Sequence, residues 1–362
     1  MTIETTLVSA LVLMLAWANG ANDISKGVAT LVGNGTARAR RAVWWGTLWT
    51  CLGGLAAVAW GTALLHTFGG GYLRAGFPIT PEFVASTVAA AATWVIIATR
   101  TGLPVSTTHA LLGGIVGAAL AAAGPEALRA TIVANKAMVP LLASPLIAVG
   151  LSAMFLMLAR AVAKRVPAWR PGCCARETWL KNPFACAVPS DGHPASRWAE
   201  RIWIGLHWLS SGATSFARGL NDVPKISAFL VLAVAMAPSH TYGTGSNAAW
   251  PILTVTLAMA FGSLWGGFKV LNILSHRITP LDANSGVVAN VGTSALVLAA
   301  SLFGLPVSTT HISAGALMGV RWTDKVKPAG TDALKLVLAG WAVTFPAAAL
   351  FAAVTFRILG WM

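Results

Sequence analysis

The sequence predicts an all-α integral membrane protein: about ten transmembrane helices in two inverted-topology repeats, with helices broken at the midplane. Three observations predict it. Of 362 residues, 56% are hydrophobic and only 10% charged, a balance that makes lipid, rather than water, the solvent for most of the chain. Apolar runs of about 20 residues, the length that crosses a bilayer, follow one another from end to end. Two motifs each occur twice, in the same order and at nearly one offset.

Ten runs qualify, at 5–33, 42–65, 83–99, 102–123, 137–160, 202–236, 250–275, 283–301, 304–320 and 333–357. The first and sixth are longer than one simple span and hold Gly and polar residues inside, which predicts a break in each. The fourth and ninth open on Gly-Leu-Pro. Between the fifth and sixth lies a hydrophilic stretch rich in Pro, Arg and Cys, which reads as a linker rather than a domain. The predicted division is a first repeat over 1–160, a basic linker loop over 161–201 and a second, inverted repeat over 202–362. The residues before the first run carry Glu4 and no Lys or Arg. A secretory signal starts with positive charge, so the first run is read as a retained span.

Charge sets the orientation. The chain holds 25 Lys and Arg against 11 Asp and Glu, a formal +14. In a soluble protein that excess would suggest nucleic acid; here the positive-inside bias accounts for it, and no nucleic-acid partner is expected. Loops on one side hold 18 Lys and Arg, among them Arg38, Arg40, Arg41 and eight from Arg160 to Arg201. The other side holds four, Arg74, Arg129, Lys136 and Arg357, while Lys26, Arg218 and Lys225 lie inside spans. This predicts a multi-pass protein of the cell membrane with its N-terminus outside and the linker in the cytosol. Tryptophans such as Trp44, Trp45, Trp49, Trp203 and Trp208 suit interfacial anchoring. Cys173, Cys174 and Cys186 share the linker with His193, but zinc sites favour paired CxxC spacing. Reduced cytosolic thiols fit them better.

The repeat is explicit. Trp17-Ala18-Asn19-Gly20-Ala21-Asn22-Asp23-Ile24-Ser25-Lys26 is answered by Phe216-Ala217-Arg218-Gly219-Leu220-Asn221-Asp222-Val223-Pro224-Lys225. Gly102-Leu103-Pro104-Val105-Ser106-Thr107-Thr108-His109 recurs letter for letter from Gly304 to His311. Five spans in each half, an odd number, turn the second half upside down relative to the first.

Each motif has a chemistry. Glycine loosens a helix, and Asn22, Asp23, Asn221 and Asp222 offer oxygen ligands to a hard cation. A carboxylate at membrane depth is costly, which makes function the default expectation; the bland alternative pairs Asp23 with Lys26 and Asp222 with Lys225 three residues along the helix. In the second motif proline starts a helix whose first N–H groups lack acceptors, a site favourable to an oxyanion. Ser106, Thr107, Thr108, Ser308, Thr309 and Thr310 add hydroxyl donors, or else cap and pack the helix. Lys26, Lys225 and Arg218 are the cations placed to attract the anion; Arg218 has no counterpart, since Asn19 stands there in the first half, and it could equally serve an aspartate as counter-ion. His109 and His311 are open between a proton or substrate contact and a single interhelical hydrogen bond.

These residues resemble the inorganic phosphate transporter family, across essentially the whole chain outside the linker. The resemblance implies a symporter for phosphate driven by sodium or protons, working by alternating access. It assigns Asn22, Asp23, Asn221 and Asp222 to the cation, Ser106 to Thr108 and Ser308 to Thr310 to phosphate, and needs no cofactor beyond Na+ as coupling ion. Sulfate, carried by a minority of the family, is the alternative substrate, and a homodimer is open. The chain departs from the pattern at Lys26, where the family usually has Asn, at Pro224, where it has Gln, and at Arg218, where it often has His. An anion channel would need a continuous pore instead of an occluded midplane site. An enzyme is not expected, because catalysis seldom needs two equal copies of every polar group.

Overall fold

A computed structural model describes residues 2–165, 194–236, 249–275, 283–324 and 331–360. Each of the ten apolar runs carries a helix: α1 (Ile3–Gly33), α2 (Ala39–Trp60), α3 (Pro81–Thr101), α4 (Thr107–Ala123), α5 (Val139–Arg165), α6 (Pro194–Ala235), α7 (Ala249–Gly266), α8 (Ala283–Leu302), α9 (Thr309–Asp324) and α10 (Thr331–Leu359). Seven helical stretches among the described residues are long and apolar enough to cross a membrane. Their outward faces are apolar, with Leu142, Leu146, Met157, Leu350 and Ile358 all more than half exposed. In water such a surface would be an association hazard; against lipid it is the ordinary outside.

Local chemistry accounts for the helix ends. Thr80 caps α3 through Phe83 N with Pro81 in the first turn, and α3 stops at Gly102 in the left-handed conformation, φ 82°. Gly304 takes the same conformation, φ 66°, before α9. Ser106 and Ser308 then cap α4 and α9 by accepting from His109 N and His311 N, both at 3.2 Å. At 17 and 16 residues, α4 and α9 are about 26 and 24 Å long.

The predicted breaks in the first and sixth runs are not where the structure interrupts the chain. Both α1 and α6 pass unbroken through the Asn-Asp motifs, α6 even across Pro224. The interruptions fall instead at the Gly-Leu-Pro turns before α4 and α9. Backbone groups inside lipid must be satisfied within the chain, and here side chains reach the neighbouring turns while both long helices keep their own ladders. A second difference is the start of α6, which begins at Pro194, inside the stretch expected to be linker. The group Cys173, Cys174, Cys186 and His193 lies outside the described residues.

The halves interlock by exchange. α1 packs on α7 and α6 packs on α2; α4 packs on α10 and α9 packs on α5. Each exchange is made close by glycine. A Cβ on Gly20 or Gly262 would stand 2.0 or 1.9 Å from a backbone oxygen of α7 or α1, and on Gly53 or Gly219 2.0 or 2.3 Å from one of α6 or α2. Gly113 and Gly117 meet α10 in the same way that Gly315 and Gly319 meet α5. Small residues spaced by four are how helices approach in a membrane. So the motif glycine, expected to loosen its helix, serves a close crossing. We expect Gly117→Ala to lower the melting midpoint in detergent, because the obstacle 2.0 Å away is the Ala349 carbonyl and cannot rotate aside; overpacking of this kind costs about 1–3 kcal/mol. Gly150→Ala, with nothing within 4 Å, should leave the midpoint in place.

Candidate functional site

The two Gly-Leu-Pro turns meet in the interior, between α1 and α6. On the first side, the Lys26 ammonium pairs with Asp23 and donates to Val105 O at 3.1 Å. On the second, the Lys225 ammonium stands 3.5 Å from Asp222 and donates to Val307 O at 2.9 Å. The turns are also cross-linked: Thr310 Oγ1 donates to Val105 O at 2.8 Å and Thr108 Oγ1 to Val307 O at 3.1 Å. Lys225 Nζ donates to Thr108 Oγ1 at 2.8 Å. Each ammonium thus sits against a carboxylate and a turn carbonyl of its own half, and that carbonyl accepts in turn from a threonine of the other half.

The asparagines hold the turns. Asn22 donates to Thr99 Oγ1 and Leu103 O at 3.1 and 3.0 Å and accepts from Val105 N at 3.3 Å. Asn221 donates to Asp222 Oδ1 at 2.8 Å and to Val307 O at 3.3 Å, and accepts from Ser301 Oγ at 3.2 Å. Thr99 and Ser301 were not singled out from sequence, although both are hydroxyls placed three residues before the turn glycine in each half. Asn19, the counterpart of Arg218 in the sequence, links Asp23 Oδ2 at 3.3 Å to Thr107 Oγ1 at 3.0 Å. Thr309 is buried beside its neighbours. His109 and His311 come together with ring centroids 4.4 Å apart. His109 Nδ1 lies 2.9 Å from Ser106 Oγ, and His311 packs on Trp341 at 3.9 Å.

Arg218 departs from the symmetry. It is 1% exposed and donates through Nη2 to Thr50 Oγ1 of α2 at 2.9 Å. No sequence pattern pointed to Thr50, one of two threonines in α2. The Nε and Nη1 groups of Arg218 have no hydrogen-bond partner among the described residues, and neither do Asn19 Oδ1 and Asp222 Oδ2. Buried polar groups are almost always paired, so these open groups mark where a ligand would complete the site. The charged residues buried among the described ones are Asp23, Lys26, Arg218, Asp222 and Lys225, and every one belongs to this cluster. Among the described residues no group of three or more His, Cys, Asp or Glu is placed to hold a metal ion.

Comparison with known proteins places the whole chain. The chain is 27% identical to a probable low-affinity inorganic phosphate transporter of Rhizobium meliloti, over 96% of this chain and 94% of that one. It is 28% identical to a putative phosphate permease of Pyrococcus furiosus, over 95% and 93%. A solved structure described as a sodium-dependent phosphate transporter shares the fold, with a TM-score of 0.82 over all of both chains at 23% identity. The model of the phosphate transporter family matches residues 19–352, a stretch that holds both Gly-x-Asn-Asp segments, both Gly-Leu-Pro turns and all five buried charges. This chain is a multi-pass membrane protein and belongs to the phosphate transporter family.

Proposed function

We propose that the protein moves inorganic phosphate across the cell membrane together with a monovalent cation, by alternating access around the cluster just described. The observation that carries this is Arg218: a fully buried guanidinium with unpartnered N–H groups, within electrostatic reach of Asp23 and Asp222. Guanidinium forks match tetrahedral oxyanions, and the first turns of α4 and α9 favour negative charge. Ser106, Thr107, Thr108, Ser308, Thr309 and Thr310 supply the hydroxyls around the anion; Lys26 and Lys225 add fixed charge. Asp23 and Asp222 serve the cation, and Asn22 and Asn221 position the turns that face it.

Charge supports a pair of ligands. With all five ionised, Lys26, Lys225 and Arg218 exceed Asp23 and Asp222 by one positive charge. A phosphate dianion with one Na+ or H+ brings the enclosed site to neutrality, and an uncompensated buried charge is expensive. The two halves act as repeats of opposite orientation, with boundaries near 1–160 and 202–362. Support comes from α1 and α6, which lie side by side in opposite directions: Ser211 Oγ of α6 donates to Gly27 O of α1 at 2.6 Å, while His207 Nδ1, one turn earlier in α6, lies 3.1 Å from Asn34 Nδ2 at the end of α1. The basic residues of loops place the N-terminus outside and the 161–201 segment in the cytosol.

Reconstituted protein should take up radiolabelled phosphate saturably when a sodium gradient or a pH gradient is imposed, and Asp23→Asn should abolish it. Whichever gradient drives uptake names the coupling ion. Block by low sulfate would reassign the substrate to sulfate, and absence of uptake under both gradients would overturn the reading.

A further inference from the structure

Along the two long helices, buried polar side chains beyond the charged cluster are concentrated on one side of it, with only Thr5 and Ser227 on the other. From the site toward the N-terminus of α6, the buried polar residues are Ser215, Thr214, Ser211, Ser210 and His207. Beside them, toward its C-terminal end, α1 presents Thr30 and Asn34. In the other direction the same helices bury Val8, Val12 and Leu15 of α1 against a core that includes Leu230 and Ala233 of α6. The polar strip runs over twelve residues of α6 from Arg218 to His207, about 16 Å.

The strip is bound together by one residue of α8. Asn290 Nδ2 donates to Thr30 Oγ1 at 3.0 Å and to Ser210 Oγ at 3.4 Å, while its carbonyl accepts from Thr214 Oγ1 at 3.0 Å. At the far end Asn34 Nδ2 lies 3.1 Å from His207 Nδ1. With Nδ1 accepting from that amide, a neutral imidazole carries its proton on Nε2. Nε2 has no partner among the described residues, although His207 is wholly buried. It is aimed at Gly286 of α8, where a Cβ would come within 2.7 Å of it. Ser215 Oγ, next to Arg218, is also buried and unpartnered. Unmet buried donors are costly, and here they stand at both ends of one polar strip that contains no acidic side chain.

We propose that this strip is the passage through which the transported oxyanion travels between Arg218 and the membrane face where α1 ends, with His207 Nε2–H as its outermost donor and Asn290 as the latch that closes it. The inference rests on the transport function above. Hydroxyls and an imidazole hand an anion along by exchanging hydrogen bonds, and the absence of carboxylates spares it repulsion. In the conformation described, α8 seals the strip through Asn290; passage requires α8 to part from α1 and α6.

Cysteines test it in a background whose native Cys51, Cys173, Cys174 and Cys186 are serine. Ser210→Cys, Thr214→Cys, Val12→Cys and Phe229→Cys would be exposed to a membrane-impermeant methanethiosulfonate reagent in vesicles of either orientation, with Arg38→Cys in the exposed α1–α2 turn marking that face. The expected result is labelling at 210 and 214 from the same side as 38, slowed by saturating phosphate, and none at 12 and 229 from that side. His207→Leu should lower maximal uptake about tenfold, an added barrier of about 1.4 kcal/mol, while equilibrium phosphate binding stays within about twofold. If His207→Leu fails to fold, the two cysteines still decide. Uptake by the cysteine-free parent with 210 and 214 inert, or labelled only from the opposite side, overturns the passage alone; no uptake by the parent removes the transport function and the passage with it.

Discussion

Asp23→Ala is expected to abolish phosphate uptake and to destabilise the fold by about 3–5 kcal/mol, the cost of stranding one partner of a buried pair. The carboxylate pairs with Lys26 and accepts from Asn19 at 3.3 Å. Without it the Lys26 ammonium keeps only Val105 O, at 3.1 Å, in a place reached by almost no water. Thermal unfolding in detergent should show the loss directly. The informative variant is the double one, Asp23→Leu with Lys26→Met. Replacing a whole buried pair by apolar residues of similar size is often neutral, or stabilising by about 1–4 kcal/mol, so its melting midpoint should return to the wild-type value or above it. Uptake should not return. A purely structural pair would predict the opposite, stability and transport recovering together, and that outcome would take Asp23 and Lys26 out of the cation site.

The same residues show what a sequence can and cannot convey. Asp23, Asp222, Lys26, Lys225 and Arg218 were legible because a charge inside an apolar run has few reasons to be there, and because most of the pattern appears twice. The Gly-Leu-Pro turns were legible for a similar reason: glycine and proline punctuate a chain whatever its neighbours are. The wholeness of α1 and α6 was not legible. It depends on Asn22 and Asn221 reaching across to turns more than 80 residues away, which satisfies those turns without opening either helix. The glycines illustrate the same limit. Gly20 and Gly219 have one local meaning, flexibility, and another, a close crossing with α7 and α2, that exists only once the partner helix is in place. The strip from His207 to Ser215 was hidden by its ordinariness, since single hydroxyls in a membrane helix usually bond their own backbone or pack against a neighbour. Its alignment with Thr30, Asn34 and Asn290 is tertiary. The start of α6 at Pro194 was missed because hydropathy marks where lipid begins, and a helix is free to continue beyond it.

Arg218→Ala is expected to weaken phosphate binding about a hundredfold, or about 3 kcal/mol, the scale of two charge-assisted hydrogen bonds lost from a buried site. The variant would be read by equilibrium binding to purified protein, which separates affinity from turnover. Arg218→Lys keeps the charge but presents a point donor in place of a planar fork, so it should recover only part of that loss. The competing role is counter-ion to the two aspartates, neither of which forms an ion pair with it within 4 Å among the described contacts. The two roles separate in the double variant Arg218→Ala with Asp222→Asn. If the guanidinium only balances a carboxylate, the double variant binds phosphate as well as Asp222→Asn alone. If it holds the oxyanion, removing the second charge leaves the anion's oxygens still without Nε and Nη1, and affinity stays low. We expect the second result, because those N–H groups are unpartnered already in the wild-type site, and a counter-ion that served Asp222 alone would have turned its fork toward the equally unpartnered Asp222 Oδ2.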